Sequence, residues 1–142
     1  MASTIYHFFS QAHTNRRCEV NLFKSHRPDY KNGEQKRDFI YVDDIVDVCL
    51  FLYDKKPLSG IYNVGTGKAR TFNEVANAIF KSLNCFGHIN YIDIPIKIRD
   101  KYQYFTEAKT DKLRYTAGYT AMFHELEDGV LKYVNKLKNE NS

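Results

Sequence analysis

The residues best placed to do chemistry lie in one run, Gly33-Glu34-Gln35-Lys36-Arg37-Asp38-Phe39-Ile40-Tyr41-Val42-Asp43-Asp44. Arg37 stands at the edge of its apolar stretch. A guanidinium there can grip a phosphate through two parallel N–H donors, a geometry that lysine lacks. On spacing alone an ion pair with Asp38, Asp43 or Asp44 is the favoured reading. Further on, Gly65-Thr66-Gly67-Lys68 invites a phosphate-loop reading, but a P-loop needs glycine where Tyr62 stands and Ser or Thr where Ala69 stands. Arg70 occupies the place of the third glycine of a dinucleotide fingerprint. What remains is a tight turn that uses the access of glycine to positive φ.

Other candidates are single residues. His7 precedes Phe8 near the buried stripe of a helix, where a lone histidine is more often packed or at the surface than in contact with a ligand. Tyr102-Gln103-Tyr104-Phe105-Thr106 can hydrogen-bond a sugar or form an edge strand with an aromatic face. No Ser/His/Asp, Cys/His or paired-carboxylate constellation stands out. The histidines have no metal-ligand spacing. Cys18, Cys49 and Cys85 form no CxxC pair and are expected to be reduced thiols, with at least Cys49 in a core.

Charge narrows the ligand class. The net charge of +4 is carried by residues 16–37, where Arg16, Arg17, Lys24, Arg27, Lys31, Lys36 and Arg37 face only Glu19, Asp29 and Glu34. Such a loop suits an anionic ligand. Nucleic acid is disfavoured, because no recognition helix or interleaved stacking aromatics accompany it. No apolar run approaches the roughly 20 residues a membrane helix needs, and the N-terminal residues have no signal-peptide core. A cytoplasmic protein is expected.

The elements that must position these residues alternate. Residues 3–16 predict a helix capped by Ser3, with Ile5, Phe8, Phe9 and Ala12 on one face. Strands are expected at 20–23, 38–42, 61–64 and 89–94, with a long loop over 24–36. Asp43 or Asp44 should cap a helix that buries Ile45, Val48, Cys49 and Leu52. Thr71-Phe72-Asn73-Glu74 is a capping box opening a helix to Leu83. Residues 96–106 should be irregular. A short helix over 111–117, capped by Thr110 and ended by Gly118, and a last helix over 121–137 follow. The pattern is α/β in class.

Arg37-Asp38-Phe39-Ile40-Tyr41-Val42-x-Asp44 followed by Tyr62-Asn63-Val64-Gly65-Thr66-Gly67 resembles the C-terminal half of extended short-chain dehydrogenase/reductases acting on nucleotide sugars. Met1-Ala2-Ser3 with His7, Leu22-Phe23-Lys24-Ser25-His26-Arg27-Pro28-Asp29-Tyr30 and Lys101-Tyr102-Gln103-x-Phe105-Thr106-x-Ala108 are similar to the ADP-heptose 6-epimerases in particular. The resemblance implies that His7, Phe23, Lys24, Ser25, His26, Arg37 and Tyr102 contact ADP-heptose, with Arg37 on the diphosphate and Phe23 to His26 on the nucleotide side. It implies the substrate-binding C-terminal portion of an extended Rossmann-type fold over residues 1–142, without the N-terminal dinucleotide-binding βαβ unit on which 38–65 would pack.

Members of the family bind NADP and use a Tyr-x-x-x-Lys pair, whereas no tyrosine here has lysine four residues on. No catalytic residue, bound cofactor or metal is therefore expected in this chain. Epimerisation of ADP-heptose for lipopolysaccharide core synthesis, NADP and a homo-oligomeric assembly belong to the complete enzyme. The alternatives are a non-catalytic nucleotide-sugar binding module, a split-gene half needing an N-terminal partner, and another nucleotide-sugar epimerase or dehydratase.

Overall fold

The computed structural model describes residues 3–140, so Met1 and Ala2 of the N-terminal motif lie outside the described residues. In chain order its elements are α1 (Thr4–Thr14), β1 (Glu19–Phe23), β2 (Lys36–Arg37), α2 (Val42–Lys55), β3 (Arg70–Thr71), α3 (Phe72–Leu83), β4 (His88–Ile92), α4 (Ile96–Arg99) and α5 (Leu126–Glu140), with a π-helical turn at Lys112–Thr116.

Local chemistry accounts for the best-formed helices. Ser3 Oγ accepts from the Tyr6 N–H at 3.1 Å, and α1 buries Phe8, Phe9 and Ala12 one turn apart. Thr71 and Glu74 close a reciprocal capping box on α3, which buries Val75, Ala76, Ala78, Ile79 and Phe80. On β1, Val20 and Leu22 alternate into the same core, to which α5 adds Leu126, Val130, Val134 and Leu137. β1 pairs in parallel with β4, from Glu19 opposite His88 to Phe23 opposite Ile92. A second, smaller core gathers Val48, Leu113 and Tyr119.

Several expectations are corrected. Residues 38–41 form no strand; β2 and β3 pair antiparallel over two residues each, and α2 begins at Val42 behind Tyr41 with no side-chain cap. The carboxylates that might cap it are drawn elsewhere: Asp43 to Lys136 Nζ at 3.2 Å, and Asp44 to the His124 N–H at 2.9 Å and its Nδ1 at 2.7 Å. Residues 61–64 form no strand, because no segment among the described residues pairs with them. The last helix starts at Leu126, not 121. Ahead of it Tyr119 stacks on Phe123 at 5.6 Å, and the Arg114 guanidinium donates to the carbonyls of Tyr119 and Ala121, holding that stretch off helical geometry.

The cysteines depart furthest from expectation. Cys49 is exposed, because α2 turns Asp44 and Val48 inward. Cys18 and Cys85 are joined in a disulfide, their Cα atoms 6.5 Å apart. Each precedes one strand of the β1–β4 pair, and the His88 N–H donates to the Cys18 carbonyl at 3.1 Å, so strand register brings the sulfurs together.

Between the cores, Asp38 ties three segments. Oδ1 accepts from the Thr66 N–H at 2.8 Å and the Thr66 hydroxyl at 2.6 Å; Oδ2 accepts from the Gly67 N–H at 2.9 Å and the Ala108 N–H at 3.1 Å. Gly65 is required beside it, since a Cβ there would lie 2.6 Å from Asp38 Oδ2 and 2.5 Å from the Ala108 Cβ. Gly67 turns at φ 73°, as the Gly-Thr-Gly spacing implied.

Two outcomes follow. The disulfide spans 67 residues of sequence separation, so chain entropy assigns it about 4 kcal/mol. Reductant should lower the urea midpoint of the unaltered chain and leave that of Cys18→Ser unmoved; identical midpoints with and without reductant would refute this. Asp38→Asn turns one acceptor into a donor facing backbone N–H groups, at a cost of about 1–3 kcal/mol. The same urea titration should leave Asp43→Asn, at the α2 surface, close to wild type, and an Asp38→Asn midpoint equal to it would sink the assignment.

Candidate functional site

The site is built around Arg37 at the end of β2. Its guanidinium donates to the Lys36 carbonyl at 2.9 Å and to the Gln103 carbonyl, and lies 5.7 Å from the Tyr102 ring centre and 6.0 Å from that of Phe72. None of the three carboxylates near it in sequence is its partner. Asp38 is occupied by Thr66, Gly67 and Ala108, Asp43 by Lys136, and Asp44 by His124. Among the described residues no carboxylate forms an ion pair with Arg37. Backbone carbonyls orient a guanidinium without neutralising it, and five N–H donors leave capacity beyond these two bonds.

Arg37 lines a cavity of about 440 Å³ together with His7, Phe23 and Tyr102. Four of the seven expected contact residues, from α1, β1, β2 and the segment after α4, thus meet on one wall. Tyr102 stands edge-on to Phe23 at 5.8 Å and to Tyr104 at 5.5 Å. Burial pushes its hydroxyl pKa up against the opposing pull of Arg37, so the group stays protonated and able to donate.

Lys24, Ser25 and His26 run along the loop leaving β1 and do not line this cavity. Lys24 reaches Asp93 at 3.5 Å. The Ser25 N–H donates to Asn32 Oδ1 at 2.9 Å, and the His26 N–H donates to the Tyr104 hydroxyl at 3.0 Å. The charge of the loop is partly cancelled locally: Arg27 grips Asp29 through two N–H groups, raising its own pKa and lowering that of the carboxylate. Arg37 is the cation this leaves facing the cavity.

Gln11 and Gln35 also line the wall. Gln11 was detectable, since it follows His7 by one helical turn on α1; its Oε1 accepts from the Asn21 N–H at 2.8 Å. Gln35 carried no such signal, because nothing in a run of charged neighbours marks its side chain as buried.

The Gly-Thr-Gly turn does not fit a dinucleotide phosphate. The Thr66 and Gly67 N–H groups that would cradle it are held by Asp38. Among the described residues no group of three His, Cys, Asp or Glu side chains could hold a metal ion, and no helix is long and apolar enough to cross a membrane.

The family model described as "NAD dependent epimerase/dehydratase family" matches residues 1–65. The ADP-L-glycero-D-manno-heptose-6-epimerase of Nitratidesulfovibrio vulgaris (strain DP4) is 50% identical over 117 residues, covering 82% of this chain and 36% of that protein. The protein of the same name from Fusobacterium nucleatum is 43% identical, covering 100% of this chain and 44% of that one. The crystal structure of Helicobacter pylori ADP-L-glycero-D-manno-heptose-6-epimerase superposes with a TM-score of 0.70 at 27% identity, covering 94% of this chain and 37% of that one. The chain therefore spans less than half the length of the curated relatives it matches. The fold is α/β, consistent with a fragment of a Rossmann-type extended dehydrogenase/reductase. By these matches the chain belongs to the NAD-dependent epimerase/dehydratase family.

Proposed function

We propose that this chain is the nucleotide-sugar-binding part of an ADP-L-glycero-D-manno-heptose 6-epimerase. The observation that carries the reading is Arg37, a cation oriented by backbone carbonyls, without a carboxylate partner among the described residues, on the wall of a cavity shared with His7, Phe23 and Tyr102. A diphosphate supplies the missing charge, and a guanidinium meets its oxygens through paired N–H donors. Tyr102, protonated, donates to a sugar hydroxyl or phosphate oxygen. The phenyl face of Phe23 packs against the ligand, and His7 offers a ring nitrogen from α1. Lys24, Ser25 and His26 flank the nucleotide end. The names of the relatives support ADP-heptose over other nucleotide sugars.

On this reading the complete enzyme supplies NADP and the acid/base pair from a dinucleotide-binding portion, works as a cytoplasmic homo-oligomer and serves lipopolysaccharide heptose synthesis. This chain contributes binding. Residues 38–65 are the face that packs on that portion. The apolar stripe Val42, Val46, Leu50 and Tyr53, exposed along one side of α2, supports this. So does the apolar cavity of about 340 Å³ at its start, lined by Phe39, Ile40 and Val42. A stand-alone binding module is the competing reading, and turnover separates the two.

Titration calorimetry with ADP should show binding to the chain, with affinity falling by about ten-fold or more in Arg37→Gln and less in Arg37→Lys, as loss of a charge-assisted contact requires. Equal affinity in Arg37→Gln would overturn the diphosphate assignment. The chain alone should not turn over ADP-heptose, whereas mixing it with a separately expressed dinucleotide-binding portion of a relative should restore turnover. Failure to restore turnover by an otherwise folded mixture would favour the stand-alone module.

A further inference from the structure

Gln35 is polar, stands in a charged run and is nonetheless only 1% exposed. Its Nε2 donates to the Phe23 carbonyl at 3.3 Å and to the Lys24 carbonyl at 3.4 Å. Only the NH₂ end of the amide can satisfy two carbonyl oxygens, so the orientation of the side chain is determined. Its own backbone is anchored independently: the Gln35 carbonyl accepts from the Phe72 N–H at 3.2 Å, where α3 begins. The loop before it is held by the same helix, with the Asn73 N–H donating to the Gly33 carbonyl at 3.1 Å. One side chain therefore reaches from the rigid start of α3 to the end of β1, where Phe23 hands over to Lys24, Ser25 and His26. Arg37 follows two residues later on β2.

We propose that Gln35 is a positioning residue of the site, setting the Phe23–His26 backbone relative to Arg37. The inference rests on the nucleotide-sugar reading above, in which Arg37 takes the diphosphate and Phe23 to His26 flank the nucleoside. Removing the Gln35 donor then loosens the nucleoside side while leaving the phosphate contact in place. A general packing defect would weaken both.

The test uses the full chain with Gln35→Met and Gln35→Glu, ADP and pyrophosphate as probes in calorimetry, and amide hydrogen exchange without ligand. Gln35→Met should weaken ADP by about ten-fold, the scale of a lost buried hydrogen bond, and leave pyrophosphate affinity unchanged. Exchange should quicken at the Ser25 and His26 amides and stay slow within α3. Gln35→Glu places a carboxylate against two carbonyl oxygens and should match Gln35→Met at about pH 8. Once protonated, it donates one O–H, so ADP affinity relative to wild type should recover towards about pH 5, burial raising the carboxyl pKa. Parallel losses for ADP and pyrophosphate, unchanged exchange at Ser25 and His26, or no acid recovery would each overturn the proposal. If the unaltered chain binds no ADP, the nucleotide-sugar reading fails by itself. The exchange rates then still decide the role of Gln35: quickened at Ser25 and His26 they uphold it, and unchanged they reject it.

Discussion

The Asp38 carboxylate is the interaction on which the rest of this architecture depends. It accepts from Thr66 twice, from Gly67 and from Ala108, so two segments distant from it in sequence converge on one pair of oxygens. An ionised carboxylate with several donors is stable in a partly buried place because each donor replaces a lost water. The consequence reaches the neighbouring residue. With its oxygens filled by backbone and hydroxyl donors, Asp38 cannot neutralise Arg37, although it is adjacent in sequence. The same bonds consume the amides that a glycine-rich turn would otherwise offer to a phosphate. One carboxylate thus occupies the turn amides and leaves Arg37 without an ion pair among the described residues.

Register sharpens the contrast. Arg37 lies opposite Arg70 in the β2–β3 pair, and like charges facing across strands repel. Arg70 is fully engaged: it donates to Glu74 at 2.8 Å and Glu127 at 2.5 Å, and the Glu127 contact is the main cause raising its pKa. Those bonds also tie the start of α3 to the start of α5. Of two arginines in register, one is neutralised by carboxylates and the other is held by carbonyls and aromatic rings. The loop cations are sorted in the same way, Lys24 towards Asp93 and Arg27 onto Asp29. Of the cations in residues 16–37, Arg37 is the one that lines the cavity.

How much of this was legible in the sequence followed the range of the interaction. The Ser3 cap, the Thr71–Glu74 capping box and the stripes of α1 and α3 are decided within one or two turns, and the residues that decide them stand side by side. The α2 start was misplaced because Asp43 and Asp44, good caps in isolation, are claimed by Lys136 and His124 on or near α5. Cys18 and Cys85 are paired by the register of a parallel ladder, which no spacing rule reveals. Of the contact residues expected from recognisable residue patterns, His7, Phe23, Arg37 and Tyr102 line one cavity. The patterns could not say that Lys24, Ser25 and His26 leave its lining, or that Gln35 is buried, since those facts depend on contacts between residues 23–24 and 35 across the loop.

The apolar surface is divided unevenly, and the division bears on what the fold can do. The main core is closed: α1, β1, α3 and α5 seal Phe9, Val20, Val75, Ile79 and Val134 almost completely, and the disulfide bolts its β1–β4 end. Val42, Val46, Leu50 and Tyr53 instead form one exposed stripe on α2, and β1 and β4 make a parallel sheet of only two strands. Parallel strands are ordinarily covered on both faces and extended at their edges. The cavity wall can therefore hold its shape through its own hydrogen bonds, while α2 retains surface whose burial needs another body. The wall that carries Phe23, Arg37 and Tyr102 is thus set by bonds internal to this chain, whereas the stripe on α2 is left uncovered.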